Sequence, residues 1–349
     1  MSIRNNLTNR QGKYKLDLQN YLVDYDAYDN FMYVPNTINA SNLNSFLKII
    51  GIIYKLENSY ANGYVLDLSK IKKINVLGML MIYKVIEYSV IKKCFNLPAI
   101  NFNDYITSKI NEYGFASLIN AYVNNLNRNE RLKNLEIKIT DKFILAPQPL
   151  LRESNFTNDY LREKFLPKLR EYYVGQDKVI SMVSICFSEI LLNFWEHAVE
   201  DSQSIMIANG NDNFVEIACA DSGNGILSTL KTNEKYAGVG DLELFSSCVK
   251  KNVTSKEKTN HMGFGLWILD ELVKASKGRL HIYSEGYQYI NDYNKIQVGE
   301  CAFWKGTIVY LALPLKNAMS LTDIEVFKKY RNNEINSKIK INYVDDHIS

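Results

Sequence analysis

The stretch 177–199 constrains the fold more than any other part of the chain. Val179, Ile180, Met182, Val183, Ile185, Phe187, Ile190, Leu191, Leu192, Phe194 and Trp195 leave almost no polar side on a helix of this length. A helix that is apolar nearly all round has to be buried. Yet Glu189, Asn193 and His197 recur inside it at four-residue spacing, which puts them on a single stripe. Buried polar groups need partners. Either the stripe bonds to backbone nearby, or it lines a cleft that a polar ligand fills.

Two further segments favour the cleft. Asp221-Ser-Gly-Asn-Gly225 follows the apolar run Phe214–Ala220, an expected strand. An aspartate at a strand end accepts a hydrogen bond from the exocyclic amine of adenine, where guanine presents a carbonyl. Gly223 and Gly225 let the chain turn tightly and pass close to a base, although Asp-x-Gly-x-Gly is also a common turn sequence. Met262-Gly-Phe-Gly265 precedes the helical run Leu266–Lys274. Free N–H groups at such a helix start suit phosphate, and a plain loop-to-helix joint has the same look. Magnesium prefers oxygen ligands and keeps several waters, so one amide oxygen from Asn193 plus phosphate oxygens would suffice to hold it. Glu189, one turn away, is placed to orient or deprotonate a water.

In this order, within about eighty residues, the three segments resemble the nucleotide site of the GHKL ATPases, the gyrase, chaperone, histidine-kinase and MutL types. Thr254-Ser-Lys256 and Gly306-Thr307 add to the likeness. The resemblance implies ATP and Mg2+ as cofactors, with Glu189 catalytic, Asn193 on the metal and Asp221 on adenine. It also implies nucleotide contacts from Gly223, Gly225, Lys256, His261, Gly263, Gly265 and Thr307, under a mobile lid spanning about 231–262. Two positions depart from the pattern. His261 stands where a further glycine is usual, and Glu196 stands where histidine kinases often carry a basic residue. The only histidines are His197, His261, His281 and His347, and none precedes the first box, which argues against a histidine autokinase. Glu-x-x-x-Asn-x-x-x-His resembles the anti-sigma serine kinases instead. The leading expectation is a Mg-ATP-dependent regulatory switch with slow hydrolysis. The alternatives are a serine/threonine kinase acting on a separate STAS-like partner, and an ATP sensor that does not hydrolyse.

The first half reads as α/β. Extended Phe31–Pro35, a helix from Asn42 to Glu57 after a Ser41 cap, strand Tyr64–Leu68, helix Leu77–Lys93, strand Ala99–Phe102 and an amphipathic helix Ile106–Tyr122 alternate along it. Val65–Met79 resembles the central strand–loop–helix of a STAS domain. Where anti-anti-sigma proteins carry a phosphorylated serine, however, this loop reads Asn75-Val76-Leu77-Gly78, with no hydroxyl. The expected divisions are a polar arm at 1–27, loose or briefly helical, and a STAS-like domain with its connector at 28–150. A GHKL α/β sandwich follows at 151–316, with a mixed sheet and helices on one face, then a helical tail at 317–349 behind the capping box Thr322–Glu325. Within the sandwich, helices are expected at 158–173 and 177–199, a hairpin at 204–220, and late strands at Arg279–Ser284 and Gly306–Leu313.

Composition excludes several classes. A net charge of +3 over 349 residues, without a basic block, gives no electrostatic reason for nucleic acid. The start of the chain lacks an apolar signal core, and no run approaches the roughly 20 apolar residues of a membrane span. The five cysteines are scattered without zinc-type spacing and read as reduced core residues. A cytoplasmic protein is expected, with a protein partner or a second copy meeting its N-terminal domain.

Overall fold

The computed structural model describes residues 13–17, 22–26, 31–56, 65–92, 99–115, 137–149, 159, 161–197, 204–255, 265–320 and 323–324. Among them, seven short strands fall in the first part of the chain: β1 Lys13–Asp17, β2 Leu22–Asp26, β3 Phe31–Tyr33, β4 Thr37–Ile38, β5 Val65–Asp67, β6 Lys73–Ile74 and β7 Ala99–Asn101. Helices α1 Leu43–Leu56 and α2 Val76–Lys92 run between them, and α3 Asp104–Glu112 follows β7. The order β1-β2-β3-β5-β7 forms a five-stranded sheet, antiparallel as far as β3 and parallel beyond it, and β4 pairs with β6. The region expected as a polar arm therefore contributes a hairpin. Its residues extend because β3 offers an edge to pair with, which composition alone does not report.

α3 begins at Asn103, whose side chain accepts from the Ile106 amide at 2.8 Å. It ends ten residues earlier than Tyr122, because Gly114 takes a left-handed conformation, φ 72°, and turns the chain out of the helix.

The second part supplies β8 Ile137–Ile139, β9 Phe143–Pro149, β10 Ile205–Gly210, β11 Phe214–Ala220, β12 Arg279–Ser284, β13 Tyr287–Asp292, β14 Lys295–Glu300 and β15 Thr307–Pro314. Its helices are α4 Leu166–Tyr172, entered through a π turn at Leu161–Phe165, α5 Asp177–His197, α6 Ile226–Leu230, α7 Asp241–Ser247 and α8 Gly265–Ser276. The eight strands make one sheet in the order β14-β13-β12-β15-β11-β10-β9-β8. Every neighbouring pair is antiparallel, so the sheet is not the mixed one expected. β8 and β9 belong to it, so the boundary drawn at 150 cuts through this sheet's own strands.

Helices cover both faces of the large sheet, not one. Met206, Ala208, Val215, Ile217, Cys219, Val309 and Leu311 point to a core shared with α4, α5, α7 and α8. The alternate residues Ile205, Ile207, Ala218, Ala220, Ile308 and Tyr310 join a second core with Phe46 and Leu47 of α1, Leu66 of β5, and Leu77, Leu80 and Met81 of α2. This alternation follows from the period of two along a strand. Strands buried on both faces read as continuous apolar runs, as Ile205-Met-Ile-Ala208 does. From Val76 to Tyr83, α2 is buried throughout, and its Gly78 has Ile38 and Ile74 against it and no room for a Cβ.

Hydrogen bonds that cross between the parts include Tyr283 Oη to the Ala40 carbonyl at 3.2 Å, the Ala302 amide to Asn44 Oδ1 at 2.7 Å, Asn75 Nδ2 to Glu216 Oε1 at 3.5 Å and Lys142 Nζ to Glu112 Oε1 at 3.1 Å. Asn75 also caps α2 by accepting from the Gly78 amide at 3.0 Å. The loop that resembles a STAS phosphorylation loop therefore faces the chain's own sheet. No helix among the described residues is long and apolar enough to cross a membrane.

Candidate functional site

α5 is a 21-residue helix, as its apolar composition requires, and its Glu189–Asn193 stripe faces α8. The approach is close. A Cβ on Gly265 would lie 2.9 Å from Asn193 Nδ2 and 3.1 Å from Glu189 Oε2. Asn193 Nδ2 is buried and has no hydrogen-bond partner. An orphaned buried amide costs about 1–3 kcal/mol, which a polar ligand atom in reach of it would relieve.

Glu189, Asn193, Asp221, Gly225, Gly265 and Thr307 line one cavity, together with Leu192, Ile226, Cys248, Val253, Thr254, Ser255 and Val309. Its empty space is about 910 Å³ counted to the open mouth, within the ordinary range for a small-molecule site. Six of the residues named from sequence thus converge from α5, the turn after β11, the start of α8 and the start of β15. Gly223 touches the site through Asp221, whose Oδ1 accepts from the Gly223 amide at 2.7 Å. Lys256, His261 and Gly263 lie outside the described residues.

Asp221 is 4% exposed. Its Oδ2 accepts from the Thr307 amide at 3.2 Å, its own amide donates to the Thr307 carbonyl at 3.0 Å, and its carbonyl accepts from Trp304 Nε1 at 2.7 Å. Gly306 sits so close to Asp221 that a Cβ would strike it. Burial pushes the Asp221 carboxyl up to about 6, while the Gly223 and Thr307 amides and the Lys84 charge pull it down. A carboxylate that stays ionised at neutral pH at the floor of an apolar cavity is suited to accept from an amine.

Gly225 acts differently from expectation. Gly225 has an ordinary φ of −79°, and its value is space: Glu285 occupies the place its Cβ would take. Glu285 accepts from the Ser228 amide at 3.0 Å and from the Ser228 hydroxyl, and Ser284 Oγ accepts from the Ile226 amide at 2.9 Å. The free amides of α6 are thus capped from within the chain.

Part of the segment expected as a mobile lid is built into the core. Leu244 and Phe245 of α7, with Cys248 and Val249 after it, are buried in the core. Thr254 is tethered by its amide to Tyr236 Oη at 3.3 Å. Burial of four apolar side chains holds 241–249 in place, and residues 256–262 lie outside the described residues.

Sequence reading passed over Trp304 and Glu285, which shape the site without lining it. The only sequence signal for them is proximity to Gly306-Thr307 and to the β12–β13 turn. Cys248, read as a core thiol, is buried and also lines the cavity, and burial raises its pKa to about 12, so it stays a thiol. No group of three or more His, Cys, Asp or Glu able to hold a metal exists among the described residues. A metal here would depend on Asn193 and on oxygens brought by the ligand.

No protein-family model matches the chain, and no curated protein matches it by sequence.

Proposed function

We propose that the chain binds ATP with magnesium in the cavity between α5, α8 and the turn after β11, and acts as an ATP-dependent conformational switch with slow hydrolysis. One observation carries the reading: residues from four separate segments, each chosen for a different part of a nucleotide, line a single cavity that contains an unpartnered buried amide. Asp221 accepts from the adenine amine and disfavours guanine. Asn193 offers its amide oxygen to magnesium. The start of α8 at Gly265 presents backbone N–H groups toward phosphate. Glu189 orients the attacking water and takes its proton. Bound magnesium supplies neutralisation of phosphate charge. Because the N-terminal part shares a core with the sheet that carries Asp221, a change at the cavity reaches the surface offered to a protein partner or a second copy.

Calorimetric titration with ATP and GTP, each with and without magnesium, tests binding. Binding of ATP over GTP that strengthens with magnesium is expected, and absence of ATP binding overturns the reading. The fate of γ-labelled ATP then separates the chemistries. Free phosphate supports the switch, label on a partner's serine supports an anti-sigma-type kinase, and unchanged ATP supports a sensor.

A further inference from the structure

The side of Asp221 that faces away from the cavity is held by a short connection, 301–306, between β14 and β15. At one end, the Ala302 amide donates to Asn44 Oδ1 of α1 at 2.7 Å. In the middle, Trp304 is 4% exposed within the core shared with α1 and α2, and its indole N–H donates to the Asp221 carbonyl at 2.7 Å. Its own carbonyl accepts from the Glu285 amide at 2.8 Å. At the far end, Gly306 presses on Asp221 and the Thr307 amide donates to its carboxylate at 3.2 Å. The N-terminal part therefore grips one end of a six-residue strap whose remaining contacts fix a cavity residue in place. α2 adds a second influence, since Lys84 is 2% exposed and its charge acts on the Asp221 carboxylate.

We propose that Asn44 and Trp304 are positioning residues, through which the N-terminal part sets how well Asp221 reads the base in the cavity. The proposal rests on the nucleotide reading above and adds to it that base selectivity is controlled from α1. Neither residue lines the cavity, so phosphate contacts made by α5 and α8 stay intact when either is altered. A state of the N-terminal part that draws α1 away would release the strap and lower selectivity for adenine while leaving the phosphate side able to bind.

The test uses the full-length chain with Asn44→Ala, Asn44→Asp and Trp304→Phe. Hydrogen exchange without nucleotide reads the Gly223 and Thr307 amides, and titration with Mg-ATP and Mg-GTP reads selectivity. In Asn44→Ala and Trp304→Phe, the two amides should exchange faster than the rest of the sheet, and the ATP-over-GTP affinity ratio should fall about fivefold, the scale of one hydrogen bond. Asn44→Asp keeps an acceptor for the Ala302 amide and should restore both. Unchanged exchange and selectivity overturn the proposal while leaving ATP binding standing. A uniform rise in exchange across all strands with selectivity intact also overturns it, because that is general destabilisation. If the wild type binds neither nucleotide, the nucleotide reading fails, and the exchange rates still decide whether Asn44 holds the turn at Asp221.

Discussion

Gly265 and Asn193 approach so closely that a Cβ on the glycine would sit 2.9 Å from the asparagine amide nitrogen. A helix-starting glycine is usually improved by alanine, by up to about 1 kcal/mol. Here the added methyl meets Asn193 and Glu189 together, and overpacking of that kind costs about 1–3 kcal/mol. Gly265→Ala is expected to lower the melting temperature and to weaken ATP binding at least tenfold. A variant as stable as the wild type, with unchanged affinity, would show that α5 and α8 separate freely.

Asp221 gives the site a pH dependence of definite sign. Its pKa in the folded chain is raised by burial from 3.8 to about 6, so the native state takes up the proton more readily than the unfolded chain. The residue's contribution to stability therefore falls as pH rises through that interval. Binding goes the other way, because the adenine amine needs the ionised acceptor. ATP affinity should be about tenfold lower at pH 5 than at pH 7. In Asp221→Asn affinity should be low throughout, with no step beyond that of the nucleotide's own phosphate. A wild-type profile parallel to that of the variant would remove Asp221 from the base contact.

Glu189 and Asn193 sit one turn apart and should fail differently. Glu189→Gln keeps the shape of the cavity wall and removes a base, so nucleotide affinity should persist while turnover drops by about 10²–10⁴-fold. Asn193→Ala should bind ATP with an affinity that no longer responds to magnesium. Single-turnover and equilibrium measurements on both variants separate the roles, and equal losses of binding and turnover in Glu189→Gln would make that residue structural.

Removing residues 1–150 deletes β9, the partner of β10, and strips α1 and α2 from the sheet. Ile205, Ile207, Ala218, Ala220, Ile308 and Tyr310 would then face water, and a contiguous apolar face of this kind drives aggregation. The truncated chain is expected to be insoluble or to bind a hydrophobic dye strongly. A soluble, dye-negative fragment that binds ATP would contradict the shared core. At 349 residues the chain is long enough for two domains each with its own core, and this outcome differs from that expectation.

Much of the site was legible because its residues carry local signals. Asn193 and Glu189 stand out as polar groups in an apolar helix, and Asp221 stands at the end of an apolar strand. The β10–β11 hairpin and α8 were legible for the same reason. β13 and β14 were missed although Tyr287–Asp292 partly alternates, because their turns at Glu285-Gly286 and Tyr293-Asn294 use left-handed residues with only one glycine between them. What no local window carries is pairing: that β8 and β9 join strands some sixty residues later, or that α2 lies on the back of the sheet. The doubly apolar runs of β10, β11 and β15 held that information, since a strand with one wet face would alternate.

The sheet's second core also bears on ancestry. Ile207 and Ala218 on one side of the seam answer to Leu80 and Met81 on the other, so neither half can accumulate substitutions there without the consent of its neighbour. Genes whose domains meet through a flexible linker are readily cut and rejoined. Here a cut between the parts would lay that seam open on both sides, so selection acts on the two parts together.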